Sequence, residues 1–152
     1  MKYAHPFAAL LLSAALPYAA HADMPGTHPA YLHALSDLRE ARENLEHKAG
    51  NDAISQQEDK AIAEIDYAAQ AVKRIAKADD KGLYNKPRAD ASFDHPGRLH
   101  HAEDLLQKAK SDLAQQEDNA DAKKLQRHAV EHVQAALQAT QVAIKEVERG
   151  AH

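Results

Sequence analysis

Apolar side chains recur at alternating intervals of three and four along four stretches of this chain, and polar, glycine- or proline-bearing breaks separate the stretches. That spacing puts one apolar stripe on one side of an α-helix. The first stripe, Tyr31, Leu35, Leu38, Arg42 and Leu45, predicts a helix from Pro29 to Lys48 that Gly50-Asn51 ends. Ser55-Gln56-Gln57-Glu58 has the form of a capping box, in which hydroxyl and carboxylate each satisfy the other's backbone N–H. Ile62, Ile65, Ala69, Val72 and Ala76 then carry a second helix, stopped by Asp79-Asp80-Lys81-Gly82. Residues 82–95 have no period and contain Pro87. A third helix starts near Pro96 with Leu99, Ala102, Leu106, Ala109 and Leu113. After a turn at 116–121, a fourth runs to about Arg149 with Val130, Val133, Leu137, Thr140, Ile144 and Val147.

One phrase opens both the first and third helices: His28-Pro29-Ala30-Tyr31-Leu32-His33 and His95-Pro96-Gly97-Arg98-Leu99-His100. Proline suits the first turn, where its missing N–H would have no intrahelical partner. The phrases are offset by 67 residues, and Ile62, Ile65 and Ala69 match Val130, Val133 and Leu137 at 68 with one residue gained in the turn. A duplicated αα-hairpin is the reading this favours over chance similarity between amphipathic helices, and two hairpins joined by a crossover of about 14 residues predict an all-α, antiparallel four-helix bundle in up-down-up-down order. Small Ala-rich stripes let helices approach closely and leave little room for a haem, and no Cys-x-x-Cys-His attaches one.

Ahead of the bundle, Met1-Lys2, the apolar run Phe7 to Leu16 and Ala20-His21-Ala22 read as the three parts of a signal peptide, residues 1–22, cleaved after Ala22. The mature domain is then 23–152, and the expected location is the periplasm. With no cysteine there is neither disulfide nor thiolate ligand, nor a lipoprotein anchor. No later stretch approaches the roughly 20 apolar residues of a membrane helix. The formal net charge of −4, with basic residues scattered among acids, argues against a nucleic-acid partner.

Eleven histidines in 152 residues call for a reason. Imidazole and carboxylate together suit Cu(II), Ni(II) or Zn(II). In up-down-up-down order, His28, His33, His95, His100 and His101 gather at one end, with His28 and His95 in phase with the core. The other end holds His128 and His132, spaced i,i+4 so that both project from one side of the fourth helix, with His47 nearby. By height along the bundle, an inward His132 meets Asp37 or Asp66. The candidate metal ligands are therefore His28, His95, His128, His132, Asp37 and Asp66. Helix capping, packing or solvation explains many of these histidines without a metal.

Enzymatic readings fare poorly. His128-Ala129-Val130-Glu131-His132 spells the His-x-x-Glu-His of inverzincin metalloproteases, yet too little chain follows for their further acidic ligand. A ferritin-like di-iron site needs Glu-x-x-His on two helices, which is absent. No serine sits on a sharp glycine-flanked turn, and there is no phosphate-binding glycine loop.

His28-Pro29 through Leu35-Ser36-Asp37-Leu38-Arg39, Glu64-Ile65-Asp66 and Gly97-Arg98-Leu99-His100 carry a resemblance over most of the mature chain. It resembles a group of small exported bacterial all-helical proteins of no assigned activity. The resemblance implies export and a helical fold and carries no chemistry across. The expected function is a non-catalytic periplasmic bundle that holds or buffers a divalent metal. The alternative is a structural or interaction module that docks on another exported protein through its charged faces or the Pro87 loop. Tyr67, two positions off the second stripe, marks a candidate homodimer patch.

Overall fold

The computed structural model describes residues 29–47, 52–76, 93–115, 117 and 119–150. His28, Asp79, Asp80, Pro87, His152 and the signal segment lie outside the described residues. Four helices make up the fold: α1 (Pro29–Glu46), α2 (Asp52–Ala76), α3 (His95–Leu113) and α4 (Ala120–Gly150). No strand occurs among the described residues, and the all-α four-helix bundle expected from the stripes is what forms.

The helix ends differ in detail from the sequence reading, for local reasons. α2 starts at Asp52, so Ser55 falls inside its first turns and does not cap it. Glu58, the other half of the expected box, instead turns into the bundle and is fully buried. The cap of α3 is Asp94, whose Oδ1 accepts from the Gly97 N–H at 2.8 Å, with His95 and Pro96 as the first two helical residues. Asn119 caps α4 by accepting from the N–H groups of Asp121 and Ala122 at 3.0 and 2.9 Å. Buried Gln126 donates to the Gln115 carbonyl at 2.7 Å and ties that turn down.

Neighbouring helices pack as α1 on α2, α3 on α4, α1 on α3 and α2 on α4, which puts α1 across from α4 and α2 across from α3. Directions follow from the contacts. Arg98 near the start of α3 donates to the carbonyl of His47 just past α1, and Lys108 and Asp112 near its end lie beside His33 and Asp37 near the start of α1. His95 at the start of α3 meets Glu58 near the start of α2. Arg74 near the end of α2 lies beside Leu125 and His128 near the start of α4. Every adjacent pair is therefore antiparallel, in the order up-down-down-up. The expected up-down-up-down order is wrong: α3 begins where α1 ends. The long connection, residues 77–94, allows it, because α2 is about 37 Å long at 1.5 Å per residue and extended chain covers more than 3 Å per residue.

Many buried positions repeat with one spacing. Adding 68 to Tyr31, Ala34, Leu38, Ala41 and Leu45 gives Leu99, Ala102, Leu106, Ala109 and Leu113, all buried. The same step carries Ile54, Glu58, Ala61, Ile65, Ala68, Val72 and Ile75 of α2 onto Ala122, Gln126, Ala129, Val133, Ala136, Thr140 and Ala143 of α4, all buried. No residue is gained in the turn. The two His-Pro phrases, offset by 67, stand one position out of register with this repeat.

Candidate functional site

Reversing α3 redistributes the histidines. His95, His100 and His101 stand at the end where α1 stops, together with His47, whereas His33 and His128 lie toward the other end. The expected gathering of His33 with His95, His100 and His101, and of His47 with His128 and His132, does not form.

Each candidate ligand within the described residues has a definite neighbour. His95 Nε2 lies 2.7 Å from Glu58 Oε1, with the His side chain 13% and the Glu side chain 0% exposed. Asp66 accepts from Arg42 Nε at 3.0 Å, and Arg42 also pairs with Glu46. Asp37 is half-buried in an open cleft between α1 and α3, where burial first and the Asp112 carboxylate second raise its pKa above the ordinary 3.8. His132 does meet a carboxylate of α2, that of Glu64, with Nδ1 at 2.7 Å from Oε2. Neither Asp66 nor Asp37 is that partner. Residues 64 and 132 are separated by the 68-residue repeat, so equivalent positions of the two hairpins face each other across the α2–α4 seam.

Among the described residues, no three or more His, Asp or Glu side chains converge as a complete metal site would require. What the α2–α4 face offers is a groove of about 280 Å³, lined by Tyr67, Gln70 and Arg74 from α2 and by Leu125, His128 and His132 from α4. Spacing explains the set: residues three and four apart share a helix face, and the helices run antiparallel, so Tyr67 is level with His132 and Arg74 with Leu125. The Tyr67 ring lies 5.2 Å from the His132 ring, centroid to centroid, and tilts 31° against it. His128 Nδ1 is 3.5 Å from Glu131 Oε2. The Glu64 contact orients the His132 ring and leaves its Nε2 for a ligand, while His128 has Glu131 only as an exposed neighbour on its Nδ1 side. Gln70 and Arg74 have no hydrogen bond or ion pair among the described residues.

Sequence reasoning missed Glu64, Gln70, Arg74 and the stacking of Tyr67. The 68-residue step was the available signal, because it pairs position 64 with 132 once the halves are set against each other. No described helix is long and apolar enough to cross a membrane. A scan against protein-family models, a search of curated proteins and a search of solved structures each return no match for this chain.

Proposed function

We propose that the chain is a non-catalytic, exported bundle of the periplasm, akin to the small bacterial helical proteins it resembles, and that it takes up a divalent metal ion at His128 and His132. One observation carries the reading: two imidazoles one helical turn apart, both lining a surface groove, each with Nδ1 beside a carboxylate. An i,i+4 histidine pair holds Cu(II), Ni(II) or Zn(II) through two nitrogens, and carboxylates behind the rings raise ligand basicity. With two protein ligands the ion keeps exchangeable positions, which fits buffering or transfer better than a structural role.

Calorimetry of the tag-free chain 23–152 with each ion tests it. One equivalent should bind, with binding lost in His128→Ala and in His132→Ala and kept in His33→Ala, and circular dichroism should show the helices intact in all three. Equal binding in wild type and in the two groove variants would sink the reading and favour a metal-free interaction module.

A further inference from the structure

The groove's composition is unusual for a bare-metal site. No carboxylate lines it, and besides the two imidazoles it presents the guanidinium of Arg74, the amide of Gln70 and the phenol of Tyr67. A dication held by His128 and His132 alone would face Arg74 with no anionic ligand in the groove to offset the repulsion; Glu64 and Glu131 are turned to the Nδ1 sides of the rings. An anion lying beside the ion relieves this. Resting on the metal reading above, we propose that the site takes its ion already chelated by a small amino- or hydroxycarboxylate, the carboxylate being held by Arg74 and Gln70.

Three observations favour such a complex over the free ion. The protein supplies two nitrogen ligands and, among the described residues, no converging third, so a tetragonal Cu(II) has two in-plane positions left for one amine or hydroxyl and one carboxylate oxygen. The groove's volume of about 280 Å³ exceeds what an ion and its waters need and suits a chelator of a few heavy atoms. The donor groups are laid out in order: Arg74 and Gln70 occupy successive turns of α2, on the side of Tyr67 away from Glu64. Guanidinium is also the side chain best shaped to hold a carboxylate through parallel N–H bonds. Tyr67 packs its ring against His132 at one edge of the groove.

The test compares Cu(II) alone with the 1:1 Cu(II)–glycinate complex on the chain 23–152, by calorimetry and by electron paramagnetic resonance with ¹⁵N-glycine. Wild type should form a ternary complex whose spectrum shows the glycine nitrogen beside two imidazole nitrogens, bound about tenfold more tightly than in Arg74→Gln. Binding of Cu(II) alone should be as tight in Arg74→Gln as in wild type, or tighter. If glycine merely strips the metal, or if Arg74→Gln binds the glycinate complex as well as wild type does, the chelate proposal fails while the metal reading stands. Failure of Cu(II) alone to bind, or its retention in His128→Ala and His132→Ala, would overturn the metal reading itself.

Discussion

Asp94 and Gly97 make one device at the start of α3. The Asp94 carboxylate reaches the Gly97 N–H at 2.8 Å, and a Cβ added at Gly97 would stand 2.9 Å from Asp94 Oδ1. Asp94→Ala should cost about 0.5–2 kcal/mol in urea unfolding. Gly97→Ala should gain up to ~1 kcal/mol of helix propensity in the Asp94→Ala background and less in wild type, where the methyl disturbs the cap. Asp37 gives a pH prediction. Its pKa is raised by burial and by Asp112, so ionising it destabilises the fold. The penalty is absent below the unfolded value of 3.8 and grows as pH rises through the higher folded value. Asp37→Asn should therefore melt higher than wild type at pH 7, with the difference vanishing near pH 3, as thermal scans across that range would show. The Glu58–His95 contact concerns a carboxyl group with no exposure, whose Oε1 meets His95 and whose Oε2 has no hydrogen-bond partner among the described residues. His95→Ala should cost ~1–3 kcal/mol by leaving a fully buried carboxyl group without its hydrogen bond, whereas Glu58→Met with His95→Ala should come back close to wild type. A double-mutant cycle reads the coupling directly.

Among the elements, the buried faces show what the sequence made legible and what it hid. Leu38 and Leu45 in α1, and Leu99, Leu106 and Leu113 in α3, recur every seven residues beside Ala34, Ala41, Ala102 and Ala109, and this periodicity identified both helices and their inward sides from residue types alone. Glu58 and Gln126 occupy the same inward stripe as Ile65, Val72 and Val133, and no pattern rule places a polar residue there. Its burial depends on His95, a partner 37 positions away that only the folded bundle supplies. The order of helices around the bundle was equally hidden. Four stripes of aliphatic residues and alanine can be buried either way round, and what distinguishes the arrangements is pair contacts such as Glu58 with His95 and Arg98 with His47. The groove followed from that order, since His132 met Glu64 and Tyr67 once the α2–α4 register was set. That register tolerates little change in volume, because alanines sit at the close approach. Ala136→Leu, at a fully buried position of α4, should cost about 1–3 kcal/mol, and Gln138→Leu, two residues on and exposed, within ~0.5 kcal/mol. Urea midpoints of the two variants make the comparison.

At the scale of the whole molecule, the two extensive seams, α2 on α4 and α1 on α3, both run between the hairpins rather than within them. With the 68-residue repeat of buried positions, this describes two similar hairpins related by an approximate two-fold axis that passes near Glu64 and His132. Each hairpin completes the other's core. A lone hairpin would leave one side of Leu38, Ile65, Leu106 or Val133 facing water, and a unit of its size buries too little surface to hold itself together. Cutting the chain between the hairpins therefore tests whether the seams alone hold them together. A specific protease site placed within residues 80–90 and cut after folding should leave both hairpins together as a 1:1 complex with full helical signal at tens of micromolar. Unfolding should become concentration-dependent, because the tether's effective concentration, of millimolar order, is replaced by the bulk one. At about 10 micromolar that substitution costs ~2.7 kcal/mol, a large share of a small domain's stability. Halves that separate on cutting, each retaining its helices with a midpoint independent of concentration, would show that the hairpins are held from within and that the seams between them are secondary.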